Sequence, residues 1–256
     1  MHEDPIYQEM SEELILRRDG AVTRLTLNRP EKANALDPAL TAALLDAFAA
    51  AAADGTRLVV LDGAGKSFCS GFDLSGFEDL SDGDLVLRLL RIETLLQAVF
   101  HAPFPTLALA HGRVFGAGAD LFCACATRIA APDTAFRMPG LGFGIVLGTR
   151  RLVARIGVDA ARDIQNAGRS FDTAEAVRLN FATETAAPED WPARIAAAAE
   201  TAATLSVAAT AALFRVTAAD TRAADMADLV ASAAQPGLKD RIRAYRDAVR
   251  RAAGKG

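Results

Sequence analysis

The chain has 256 residues, with 28 basic and 32 acidic side chains, a net charge of −4 and 51% hydrophobic residues. That length can bury the core of one large domain, or of a domain with an appendage. The acidic balance lacks the basic footprint of a nucleic-acid binder, and no apolar run reaches the ~18 residues that suggest a membrane span.

The start, Met1-His2-Glu3-Asp4-Pro5, is acidic and has no signal-peptide apolar region, so a soluble cytoplasmic protein is expected, with His2 in a disordered terminus. Leu14–Leu16 and Val22–Leu27 alternate around Asp19-Gly20, a hairpin signal. Asp37-Pro38 opens a helix, with Asp as N-cap and Pro at the first position, running to about Ala53. Arg57–Leu61 reads as a buried strand stopped by Asp62-Gly63, and a loop from Gly65 to Leu74 follows. Asp84–Phe100 is an amphipathic helix, broken by Pro103 and Pro105 before a strand at Thr106–Ala110.

The run His111-Gly-Arg-Val-Phe-Gly-Ala-Gly-Ala-Asp120 reads as a glycine-rich turn entering a helix whose first turn carries one carboxylate. Free amide N–H groups at a helix start favour negative charge. Small side chains let a ligand approach that backbone. Amide donors beside one acid suit an oxyanion and a moving proton. Further on, Ile129–Ala131 is a short strand and Phe136–Gly148 a loop or short helix. Helices are expected at Thr149–Ile156, Val158–Ala167, after the capping-box-like Asp172-Thr-Ala-Glu175, and at Ala193–Leu205, Ala208–Ala219 and Leu238–Ala253. The last ~60 residues lack strands and read as a helical appendage. Of the three cysteines, Cys69, Cys123 and Cys125, the odd count argues against a disulfide framework. The C-x-C pair has no His at ligand spacing and reads as buried small hydrophobes rather than a metal site.

Leu27-Asn-Arg-Pro-Glu-Lys-Ala-Asn-Ala-Leu36, Lys66–Leu74, Gly112–Asp120 and Gly168–Phe181 together resemble the crotonase (enoyl-CoA hydratase/isomerase) family, over roughly Leu14 to Arg250. The resemblance implies an α/β (α+β) fold: a spiral of β-β-α turns with a C-terminal helical trimerisation region. It divides the chain into an acyl-CoA-binding core over 1–195 and a helical region over 196–256. It also implies homotrimers or hexamers, and an acyl-CoA thioester substrate with no cofactor beyond the coenzyme A that substrate carries. The thioester carbonyl would sit between the backbone N–H groups of Phe72 and Ala117. Loss of one such donor costs ~2.7–4 kcal/mol.

Two glutamates place water in hydratases of this family. The first position is held here by Asp120, one methylene shorter, and the second by Gly140, which exchanges no proton. Asp120 is therefore either a general acid/base or only a first-turn helix acid. Glu78 and Glu93 are the carboxylates that could replace the missing one. Arg113 or Arg137 could hold an acyl carboxylate, with surface or interface salt bridges as the plainer role. His111 is read as a hydrogen-bonded packing residue, His101 as a helix-end cap, and Asp73 as bracing the first loop. The substrate surface expected from the resemblance takes in Lys32, Ala33, Ala35, Ser70, Asp73, Leu74, Arg113, Gly116, Arg137 and Gly140, with Lys32 and Lys66 near CoA phosphates. Gly142, Gly144 and Gly148 would line the acyl chain. The functional expectation is an enzyme that stabilises a thioester enolate with a non-standard acid/base set. The alternatives are a drifted acyl-CoA binder or assembly scaffold, and a decarboxylase or C–C lyase variant.

Overall fold

A computed structural model describes residues 6–253, with side chains over 12–251, so the acidic start and His2 lie outside it. Seven strands form the main sheet in the order β1-β2-β3-β4-β5-β7-β10. They span Ile6–Ser11 (β1), Leu14–Asp19 (β2), Val22–Leu27 (β3), Leu58–Gly63 (β4), Thr106–Ala110 (β5), Thr127–Ala130 (β7) and Glu184–Thr185 (β10). Antiparallel pairing joins β1 to β2 and β2 to β3, and the rest pair in parallel. The expected hairpin is present in the register Asp19↔Val22. Gly20 takes a φ of 54° at the turn, where its missing Cβ matters. β4 runs on through Asp62-Gly63 because both residues keep pairing with β3.

Three short strands, Arg113–Phe115 (β6), Ala135–Arg137 (β8) and Ser170–Asp172 (β9), form a second sheet in the order β6-β8-β9. Isolated parallel bridges Leu36↔Phe72 and Cys69↔Val114 pair further extended segments outside the named strands. Each turn of the chain thus gives a strand to the main sheet, an extended segment to the smaller layer, and then a helix. That is the β-β-α spiral expected. The helices of these turns are Pro38–Ala51 (α1), Asp82–Phe100 (α2), Ala117–Ala124 (α3), Thr149–Ile156 (α4), Val158–Ala167 (α5) and Thr173–Arg178 (α6). Asp37 caps α1 by accepting from Leu40 N, and Asp172 caps α6 by accepting from Glu175 N.

Strand alternation divides the core. On β4, Val59 and Leu61 face the layer of α1, α2 and α3, whereas Leu58 and Val60 face the cluster around Trp191. On β5, Ala108 and Ala110 join the first group and Leu107 and Leu109 the second. The C-terminal helices are Trp191–Ala203 (α7), Val207–Thr217 (α8), Arg222–Ala233 (α9) and Leu238–Ala253 (α10). The boundary expected at 195/196 falls inside α7. Ala202 of α7 packs under the main sheet with Trp191. Leu229 of α9 and Leu238 and Ile242 of α10 close a third cluster over Phe77, Leu85 and Leu89. His101 is the C-cap of α2, as expected. No single described helix is long and apolar enough to cross a membrane.

Candidate active site

The Asn-Arg-Pro…Asn-Ala-Leu segment braces the first loop. Buried Asn34 donates from Nδ2 to Ala64 O and Ser67 O, and accepts on Oδ1 from Arg29 N. Arg29 donates to Ala35 O at 2.6 Å and to Asp73 Oδ2 at 3.0 Å, and pairs with Asp37 at 3.3 Å. Asp73 also accepts from Ser75 N. Burial raises the Asp73 pKa, but the Ser75 and Arg29 interactions outweigh burial and hold it below the usual range. Asp73 therefore faces Arg29 in the bracing role and is not among the cavity-lining residues.

Leu36 N donates to Gly71 O and Asp73 N donates to Leu36 O. In such a bridge the intervening Phe72 turns its own N–H to the opposite side. Across from it, Gly116 (φ 52°) turns the chain into α3, and Ala117 is the first helical residue. First-turn N–H groups have no intrahelical acceptor. Among the described residues, neither Phe72 N nor Ala117 N donates to a protein acceptor. The loops touch closely: a Cβ on Gly71 would lie 3.0 Å from Ala117 N and 2.5 Å from Phe115 O. A Cβ on Gly118 would lie 2.3 Å from Cys69 O. Glycine at these two positions is what lets the two amide groups face one space.

That space is a cavity of about 290 Å³. Among its lining residues are Ser70, Phe72, Leu74, Arg113, Gly116, Ala117, Asp120, Arg137 and Gly140. Nine expected residues from separate segments therefore meet in one place. Ser70 lies at its edge beside Lys32 and Ala33, donating from N to Ala33 O and from Oγ to Lys32 O. Lys32 and Lys66 are exposed, and Ala35 is buried with its carbonyl on Arg29. Gly142, Gly144 and Gly148 are absent from the lining, where the neighbouring Leu141, Phe143 and Leu147 stand instead. Gln165, Tyr245 and Val249 line the cavity and were not foreseen. The signal for the last two was the stripe Leu238, Ile242, Tyr245, Val249 on the amphipathic α10.

Asp120 is 5% exposed, and its buried Oδ1 has no hydrogen-bond partner among the described residues. A Cβ on Gly148 would stand 2.0 Å from that oxygen, so the bare Gly148 makes the room it occupies. Burial raises the Asp120 pKa well above the usual carboxylate value; nearby Arg151 opposes this and Glu93 adds to it. Asp120 is the one carboxylate among the cavity-lining residues. Glu93 is buried and bonded to Arg151 at 2.5 and 3.0 Å, and Glu78 pairs with Arg246 on the surface at 2.8 Å. Neither lines the cavity. Arg137 donates from Nε to Gly168 O, and Arg113 is exposed at the rim. His111 bonds through Nε2 to Gly65 O and packs on Trp191, the packing role expected. All three cysteines are buried and free. Burial pushes the Cys69 and Cys125 thiols up to about 12 and Cys123 up to about 11.

A model of the enoyl-CoA hydratase/isomerase family matches residues 17–235. The probable enoyl-CoA hydratase echA6 of Mycobacterium tuberculosis is 36% identical over 145 residues, which span 56% of this chain and 58% of that protein. The match therefore covers less than two thirds of that curated relative's length. A probable enoyl-CoA hydratase of Rhodobacter capsulatus is 34% identical, over 67% of this chain and 69% of its own. A crystal structure described as a candidate enoyl-CoA hydratase/isomerase from Bordetella parapertussis superposes with a TM-score of 0.91. It is 51% identical, over 92% of this chain and 98% of that one.

Proposed function

The chain belongs to the enoyl-CoA hydratase/isomerase family, and from that premise we propose that it is an acyl-CoA enzyme using a single carboxylate. The Phe72 and Ala117 N–H groups hold the thioester oxygen as the enolate forms. Ionised Asp120 takes a proton from the carbon next to the thioester, and the electron pair moves onto that oxygen. Protonated Asp120 then returns the proton to carbon, either the one it came from or, in a dienolate, the far end of the conjugated system, as the carbonyl re-forms. Asp120 is the catalytic residue in this reading, and the protein acts in the cytoplasm as a trimer or hexamer. Exposed Val207, Leu213 and Val216 on α8 support assembly.

One observation carries the proposal: a buried carboxylate with an unpartnered oxygen shares a cavity with two unpartnered amide N–H groups. Preorganised donors in a water-poor site stabilise developing negative charge, and a carboxylate with a raised pKa suits proton transfer near neutral pH. Water placement by two acids has no second carboxylate here, since Gly140 lines the cavity without a side chain. The same Gly140 favours a second reading, in which the protein binds acyl-CoA without turning it over.

Short, long and aromatic acyl- and enoyl-CoA esters, given to the wild type and to Asp120→Ala, separate the readings. Turnover lost in Asp120→Ala with binding retained supports the enzyme. Binding without turnover of any ester supports the binder, and no CoA-ester binding at all overturns both.

A further inference from the structure

Behind Asp120, away from the cavity, lies a buried ion cluster that the proposed reaction does not use. Glu93 of α2 is 1% exposed and Arg151 of α4 is 2% exposed. Arg151 donates from Nη1 and Nη2 to both Glu93 oxygens and from Nη1 to Asp225 of α9 at 3.2 Å. Asp225 also pairs with Arg150 at 3.0 Å and accepts from Thr221 Oγ1 at 2.7 Å. Each of these carboxylates has a cation in contact. Asp120, on the helix packed between α2 and α4, has none within salt-bridge distance among the described residues, where its Oδ1 is also unpartnered.

We propose that Glu93 and Arg151 are positioning residues for Asp120: their closed pair engages the neighbouring cation and leaves the Asp120 carboxyl without a salt bridge. The inference rests on the reading of Asp120 as the acid/base. A carboxyl that loses its partners to a neighbour in a low-dielectric site ionises only at higher pH, because ionising it leaves a buried charge uncompensated. Other charged groups on the elements around α3 make no contact with Asp120: Arg88 of α2 stacks on the Phe72 ring at 5.2 Å, with its Nε unpartnered among the described residues. Arg155 of α4 donates to Cys123 O and Cys125 O, Arg137 of β8 donates to Gly168 O, and Arg113 of β6 is exposed. Glu93 and Arg151 thus act on Asp120 with opposite sign, and the raised Asp120 pKa includes both contributions.

Opposite signs give the test, a 13C NMR titration of aspartate side-chain carboxyls, with Asp120→Asn assigning the Asp120 signal. Glu93→Gln keeps hydrogen-bonding atoms but removes the like charge, so the Asp120 midpoint falls. Arg151→Gln removes the cation and raises it, whereas Arg151→Lys stays near wild type. The pH profile of turnover shifts in the same directions, which a purely structural role would not produce. A wild-type midpoint near the ordinary aspartate value overturns the proposal, as do single variants that shift together or leave the midpoint unmoved. If Arg151→Gln does not fold, Glu93→Gln decides alone. The titration uses no substrate, so it fails or succeeds separately from the proposed reaction.

Discussion

Gly148→Ala isolates the placement of Asp120 from its chemistry. The new Cβ would stand 2.0 Å from Asp120 Oδ1, against 3.4 Å or more in ordinary contact, so the carboxyl must retreat by about 1.4 Å. Misplacing a catalytic group by ~1 Å can cost ~100-fold in rate, and a loss of this order in kcat is expected. Stability falls as well: alanine in the left-handed region costs about 1–2 kcal/mol, and crowding adds about 1–3 kcal/mol. Gly76→Ala is the control. Gly76 has φ 65° and ψ 11°, close to the 65° and 0° of Gly148, yet its Cβ meets nothing within 4 Å. Gly76→Ala should show the backbone penalty alone, a Tm lower by about 2–4 °C per kcal/mol, with turnover intact. The assay is turnover of the best CoA ester beside thermal melts of both variants. A Gly148→Ala protein that melts lower but turns over like Gly76→Ala refutes the reasoning.

Other outcomes follow from the same geometry. Asp120→Asn should lower kcat ~100- to 10,000-fold, measured with saturating ester. Its stability should improve relative to wild type as pH rises. A buried acid whose folded pKa is raised binds more protons folded than unfolded, so wild-type stability falls from the unfolded pKa upward through the folded one, and Asn has no such dependence. Thermal melts across that range check it. Gly118→Ala should push the first loop away from α3, since its Cβ would meet Cys69 O at 2.3 Å, and lower kcat ~100- to 1,000-fold through a misplaced donor. Asp73→Asn acts in the opposite pH sense: the lowered folded pKa stabilises wild type above the unfolded value and is lost as pH falls through the folded one. Acid-unfolding curves of wild type and Asp73→Asn should converge at low pH and separate as pH rises.

The sequence was most informative where local chemistry decides structure. Asp37-Pro38 and Asp172 announced their helices because a cap acts on the next turn. The strand at Thr106–Ala110 was legible from its uninterrupted apolar run, since it is buried on both faces. The second sheet was hidden: β6, β8 and β9 are three residues each and gain their order from partners far along the chain, such as Phe136↔Phe171. Helix α9 was also unread. It ends a short link from α8, and its buried face is only Asp225, Leu229 and Ala233. Phe72, Ala117 and Asp120, which the family resemblance of their loops brought forward, line one cavity. The roles of Glu93 and Arg151 were not legible, because their contact joins residues 58 apart in the chain.

Deuterium exchange measures the central claim without requiring the natural substrate. Saturated acyl-CoA incubated with the protein in D2O should gain deuterium at the carbon next to the thioester, as read by mass spectrometry, with a rate that rises as Asp120 ionises and collapses in Asp120→Asn. Esters that bind but gain no deuterium, or exchange that persists unchanged in Asp120→Asn, would contradict the account.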